Sequence, residues 1–172
     1  WPPPSRVRDA DGRPGPDYWQ QRADYDIVAT LDTTRHTVKG HVTLAYTNNS
    51  PDTLRYVWMQ LDQNLYKEGS AGSYLFPEDT RFGDRGFEGG YEIQNLQVNG
   101  SRVSADVHGT QMRVSLPEPL APRGGKVTIA MDYGFAVPEH GSDHMARDGP
   151  LYEMAQWYPR VDVYDDVRGW NT

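Results

Sequence analysis

From residue 24 the chain alternates apolar and polar side chains with a period of two. Tyr25, Ile27, Ala29 and Leu31 fall on one side of an extended segment, with Asp26, Val28, Thr30 and Asp32 on the other. After a turn at Thr33-Thr-Arg-His36, the series Val38, Gly40, Val42, Leu44 and Tyr46 alternates against Lys39, His41, Thr43, Ala45 and Thr47. These two segments predict an antiparallel pair. Asn48-Asn-Ser-Pro-Asp52 is a concentrated turn signal, because Asn tolerates left-handed backbone and Pro presets its own φ. A third strand is expected over Thr53–Leu61, with Leu54, Tyr56 and Trp58 alternating against Val57 and Met59. Strand signals return at Tyr91–Val98, followed by Asn99-Gly100, the dipeptide suited to a type I′ hairpin turn. Val103–Val107, Gln111–Leu116 and Lys126–Tyr133 complete seven short strands. With no persuasive helix among them, the expected fold is all-β, an antiparallel saddle-shaped β-sandwich. Its one long interruption is a Gly-rich excursion from Lys67 to Gly90 that holds six glycines, with a helical turn expected at Pro77-Glu-Asp-Thr80.

Length and composition bound this picture without changing it. The 172 residues suffice for one buried core, and the low aliphatic, high aromatic content suits β structure. Residues 1–16 hold five prolines and alternating charge, which predicts an extended Pro-rich arm; residues 17–172 form the β domain. A net charge of −7 with no basic cluster argues against nucleic acid or an anionic membrane surface as partner. No apolar run approaches the ~20 residues that cross a bilayer as a helix. The absence of cysteine removes thiolate chemistry and Cys-ligated zinc. A start at Trp1-Pro-Pro-Pro without Met reads as a piece of a longer protein, whose exposed sheet edge is expected to promote association.

Most of the chemistry-bearing signals are weak. His140 and His144 have the i, i+4 spacing of a helical zinc pair, but Pro138 and Gly141-Ser142 oppose a helix and no Glu follows the first His. His36, His41 and His108 stand alone in the sequence. The carboxylate pairs Glu78/Asp79 and Asp165/Asp166 are adjacent, so in an extended chain they point opposite ways. No nucleophile elbow or phosphate-binding loop is present.

The informative stretch is Tyr152–Asp166, with Val167–Thr172 behind it. It sets Glu153, Gln156 and Arg160 among large aromatics around Pro159, too polar for a core strand and too aromatic for an ordinary loop. Two readings of it stand side by side. Polar side chains placed before a rigid turn can be aimed at a ligand; equally, an aromatic-Pro-Arg cluster can pin a loop to a sheet, with Glu153 paired to Arg160.

The run Ala155-Gln-Trp-Tyr-Pro-Arg-Val-Asp-Val-Tyr-Asp-Asp166, with Gly169-Trp-Asn-Thr172, resembles the end of the N-terminal domain in a bacterial branch of the aminopeptidase N family of zinc metallopeptidases. The runs Asn48–Leu65 and Leu116–Gly125 resemble the same branch, in the same order. The resemblance implies that zinc, held by two His and a Glu, belongs to a following thermolysin-like domain. No His-Glu-x-x-His motif occurs here, so the chain alone is expected to bind no metal and to be inactive. It also implies a Gln and a second Glu or Gln that hold the free amino group of a peptide substrate. In one register Gln156 is the match and Tyr158 replaces the second acid; in another Glu153 is the nearest candidate. The implied partners are the catalytic domain of the same polypeptide and the N-terminus of a peptide substrate, in the periplasm or outside the cell. The alternatives are a sugar- or peptide-binding module that stacks ligand on Trp157, Tyr158, Tyr164 and Trp170, or an inactive interaction scaffold.

Overall fold

The computed structural model describes residues 3, 5–70, 86–139 and 145–172. The first alternating segments form β1 (Arg22–Asp32) and β2 (Thr37–Asn48), paired antiparallel along their whole length. Asp32 nucleates the turn between them, its Oδ1 accepting the main-chain N–H groups of Thr34 and Arg35, both at 2.9 Å. On its other side β2 pairs along its whole length with β8 (Gly125–Ala136), the longest ladder of the first sheet. β4 (Glu92–Val98) and β5 (Ser101–Arg102) complete that sheet in the order β1-β2-β8-β4-β5.

The second sheet is built on β3 (Leu54–Gln60), β6 (Ala105–His108), β7 (Gln111–Leu120) and β11 (Arg160–Val161), ordered β11-β3-β7-β6. Two separate hairpins lie outside the sheets, β9–β10 (Met145–Asp148 with Leu151–Met154) and β12–β13 (Val163–Asp165 with Gly169–Asn171). Between the sheets, Val42, Leu44, Ile129 and Met131 of the first meet Val57, Met59, Met112 and Val114 of the second, all fully buried. This is an antiparallel β-sandwich, as the period-two pattern predicts.

Local chemistry explains the details. Asn99 and Gly100 have φ of 48° and 81°, the two positive values a type I′ turn demands, and the flanking pair Val98↔Ser101 is in register. In β3 a register shift between Leu54 and Tyr56 reverses the expected face partway along, so that Leu54, Val57 and Met59 are buried while Tyr56 and Trp58 are only partly covered. Pro117 and Pro119 do not end β7, because they lie where neither β3 nor β6 is paired and no N–H is required of them. β1 is an edge strand whose outer side faces water, leaving Val28 69% exposed.

The N-terminal segment differs from the extended arm expected of its prolines. Residues 5–18 double back through a bridge between Arg8 and Pro14, with Gly15 donating to the Val7 carbonyl at 2.7 Å and Asp17 to the Arg6 carbonyl at 3.0 Å. The Arg6 guanidinium also bonds the Asp17 carboxylate. These bonds offset the entropy that an isolated arm would keep. The helical turn expected at Pro77–Thr80 and the pair His140 and His144 lie outside the described residues, as does most of the Gly-rich excursion.

Candidate functional site

Pro159 is buried, and directly after it Arg160 and Val161 pair with Gln60 and Met59, adding β11 to the edge of β3. The Tyr25 hydroxyl of β1 accepts the Val161 N–H at 2.8 Å, while the Asp162 N–H donates to the Trp58 carbonyl at 2.9 Å. The aromatic-Pro-Arg stretch is therefore pinned across the end of the sandwich. Arg160 donates to Asp62 Oδ2 at 2.8 Å, not to Glu153. That corrects the pairing across the turn: Asp62 comes from a short 3₁₀ turn, Asp62–Tyr66, at the end of β3, and the β11–β3 pairing brings it within reach.

The three candidate residues are not brought to one place. Gln156 occupies a left-handed turn, φ 46°, held by its carbonyl, which accepts the Tyr91 hydroxyl at 2.9 Å and Gln63 Nε2 at 3.3 Å. It lines a small cavity of about 90 Å³ together with Asp62, Gln63, Leu65, Met145 and Ala155. Glu153 sits on β10 opposite Ala146, exposed, and its side chain makes no hydrogen bond or ion pair among the described residues. Tyr158 faces the other way, packed edge-on to Tyr25 with ring centroids 5.4 Å apart, and lines a larger cavity of about 490 Å³.

Two polar groups at these cavities carried no sequence signal of function. Gln63 is buried, and its Oε1 has no hydrogen-bond partner. Asp162 lines the larger cavity, its Oδ2 also buried without a partner. Burial, opposed by Arg160, pushes the Asp162 carboxyl up to about 6. The one signal for Asp162 was parity, since Arg160, Asp162 and Tyr164 share a side of an extended chain, but nothing local showed that side to be covered.

Because its folded value lies above the ~3.9 of an unfolded Asp, Asp162 favours folding only while protonated in the native state. Its contribution is favourable below about pH 4 and is lost as pH rises toward 6. Asp162→Asn is accordingly expected to stabilise the chain by about 1–2 kcal/mol at neutral pH, discounted for its partial exposure, and to do nothing near pH 4. Urea unfolding of both chains across that range measures it; equal stabilities at neutral pH would contradict the assignment.

The four aromatics of the stacking platform separate. Trp170 is stacked on Tyr46 at 6.3 Å and tilted against Tyr56 at 6.4 Å, covering one end of the sandwich. Tyr164 lies between Trp170, edge-on at 5.1 Å, and Trp19, stacked at 5.9 Å. Its hydroxyl donates to Asp52 Oδ2 at 2.9 Å, and burial followed by that bond makes it less acidic, pushing its pKa up to about 12. Trp157 packs edge-on to Tyr158 at 5.2 Å. Tyr158 and Tyr164 line the larger cavity together, but Trp157 and Trp170 do not, so the four do not form one stacking face.

Histidines that stand alone in the sequence find partners in space. His36 Nδ1 meets the Tyr152 hydroxyl at 2.6 Å, seating the β9–β10 hairpin against the β1–β2 turn. His41 Nδ1 meets Asp132 Oδ1 at 2.7 Å across the outer face of the first sheet. Among the described residues no three His, Cys, Asp or Glu side chains stand together in a way that could hold a metal ion.

An all-β sandwich domain carrying two unlike cavities at its C-terminal stretch is what the fold and geometry define. No protein-family model and no curated protein matches the chain. Its similarity is to solved structures of M1 zinc metallopeptidases and covers most of its length. One, from Deinococcus radiodurans and bound to a Tyr-Ser-Ala substrate, shares 18% identity at a TM-score of 0.47, over 83% of this chain and 26% of that one. A two-domain M1 zinc metallopeptidase bound to L-tryptophan shares 17% at 0.47, over 77% and 24%. A further M1 structure from Deinococcus radiodurans shares 16% at 0.47, over 77% and 27%. The chain thus spans about a quarter of the length of these structures.

Proposed function

We propose that this domain is the N-terminal, cleft-capping part of an aminopeptidase N-like zinc metallopeptidase, with the metal and the hydrolytic chemistry in a following domain. The sequence runs Asn48–Leu65 and Ala155–Asp166 motivate the reading. The observation that carries it is the small cavity lined by Gln156 and Gln63, where Gln63 Nε2 donates to the Gln156 main-chain carbonyl and Gln63 Oε1 is buried without a partner. An ammonium group is a donor of three hydrogen bonds and needs oriented oxygens once it leaves water. Two amides with the Asp62 carboxylate nearby supply them. Glu153, exposed on its hairpin, would contribute only if the catalytic domain covers it. Zinc would activate water against the first peptide bond, and the capping domain would select a free amino terminus. The protein would act in the periplasm or outside the cell.

The test is hydrolysis of aminoacyl-amides by the full-length protein, with free and N-acetylated substrates compared. Gln156→Ala is expected to raise KM for the free-amine substrate by about ten- to a hundredfold, the worth of a hydrogen bond to a charged group, and to leave the slow reaction of the blocked substrate unchanged. Glu153→Ala tests the competing register in the same assay. Equal losses on both substrates, or none on either, would remove the amine-anchoring role.

A further inference from the structure

The larger cavity lies apart from Gln156 and makes no contribution to the peptidase reading, yet its composition is specific. At about 490 Å³ it falls within the size range of small-molecule sites. Aromatic rings supply much of its wall: Tyr18, Trp19, Tyr25, Tyr158 and Tyr164. Their faces carry negative quadrupolar charge, which attracts cations.

The formal charges around these rings do not cancel. Arg8 is taken by Asp166, its Nε bonding both carboxylate oxygens at 2.9 and 2.7 Å, and its guanidinium lies 5.0 Å from the centre of the Tyr18 ring. Arg160 is taken by Asp62 at 2.8 Å. Asp165 is satisfied by the Asn171 amide and by the N–H groups of Val167 and Arg168, which are neutral and leave its charge in place. Asp162 has no cation of its own, and one of its oxygens is sealed from water without a hydrogen bond. Both guanidiniums are thus matched one to one by carboxylates, and Asp162 and Asp165 remain as excess negative charge in an aromatic wall.

We propose that this cavity binds a small organic cation of the alkyl- or quaternary-ammonium class, held between the aromatic faces of residues 18, 19, 25, 158 and 164 and neutralising Asp162. An anion would meet uncompensated carboxylates. A neutral ring could stack but would leave Asp162 as it is, a buried charge without a counterion. The recognition is of charge dispersed over methyl groups, which suits ring faces better than a single directed hydrogen bond. Arg8 and Arg160, each already paired with a carboxylate, line the cavity without repelling such a ligand as free cations would.

Choline chloride is the probe, with 3,3-dimethylbutan-1-ol as its uncharged isostere, titrated into the ¹⁵N-labelled chain at about pH 8, where Asp162 is ionised. The expected result is saturable shifts centred on the Trp19 indole N–H and on the amides of residues 161–165. Choline is expected to bind at least about tenfold tighter than the isostere, and about tenfold weaker after Asp162→Asn. Asp162→Asn is a folded control by its own expected stability, and Trp19→Leu, at the partly exposed rim, provides a second variant with the same expected loss. Failure of choline to saturate, equal binding of the uncharged isostere, or undiminished binding by Asp162→Asn would each overturn the proposal. Because the assay needs no hydrolysis, its outcome is independent of the peptidase reading.

Discussion

Asn48→Ala is expected to cost about 3 kcal/mol of folding stability, read as a lowered urea midpoint at unchanged slope. The side chain is fully buried and makes five hydrogen bonds. Its Nδ2 donates to the Asp52 carbonyl at 2.7 Å and to the Ala121 carbonyl at 3.0 Å. Its Oδ1 accepts from Gln21 Nε2 at 2.9 Å, the Ser50 N–H at 3.2 Å and the Ser50 hydroxyl at 2.7 Å. One amide thereby joins the end of β2, the turn into β3, the β7–β8 connection and the approach to β1. Alanine leaves these donors and acceptors in a place water does not reach, which costs more than the bonds themselves contribute. Asp at the same position keeps the acceptor and loses both donors, so it is expected to be no better. Gln21→Ala removes one more exposed arm of the network and should cost about 1 kcal/mol. A cost for Asn48→Ala no larger than that would show the network to be dispensable.

Gly40→Val is expected to destabilise by a similar amount, about 3 kcal/mol, or roughly 6–10 °C in Tm for a chain of this size. Gly40 pairs directly with Tyr133 on β8, and the Tyr133 ring lies over it. A Cβ at residue 40 would stand 2.5 Å from the Tyr133 Cζ and 2.6 Å from its hydroxyl oxygen. The ring cannot swing away freely, being 3% exposed and packed edge-on to Tyr91 at 6.0 Å. Valine favours extended backbone, which offsets only a fraction of the clash. Combining Gly40→Val with Tyr133→Leu frees the space the ring occupied. The pair should be less destabilised than the sum of the single changes by at least about 1 kcal/mol, and additivity in thermal unfolding would refute the steric account.

What the sequence discloses about this fold is whatever depends on neighbours within a few residues. Asn99-Gly100 announces its turn because both φ values are set by the two residues themselves. The alternation in β1 and β2 announces strands because the pleat alone imposes it. The inward face of β3 is not legible in the same way: the shift after Leu54 depends on how β7 pairs, a partner sixty residues on, and it exchanges Tyr56 and Trp58 for Val57 and Met59. The doubling back of residues 5–18 is hidden for a related reason, since prolines suggest extension and it takes the bridge between Arg8 and Pro14, with the bonds between Arg6 and Asp17 and between Val7 and Gly15, to reverse it.

The candidate site divides along the same line. Gln156 and Tyr158 are only two positions apart and an alternating chain would put them on one side, but the left-handed turn at Gln156 sends them to different cavities. Asp162 looks like any acid between two valines. Its importance arises from Tyr25, Trp58 and the segment 18–21, which come together over it from more than a hundred positions earlier. Burial is a property of the assembled chain, and it is burial that changes the chemistry of this carboxyl.

The ion pair between Arg8 and Asp166 joins positions 158 apart in sequence, with both side chains mostly covered. A closure of that span yields nothing until the intervening strands have already shortened the loop. The bond is therefore a late event in folding and an early loss in unfolding, and the segment it fastens should exchange its amide hydrogens well before the ladders of β2 and β8 do.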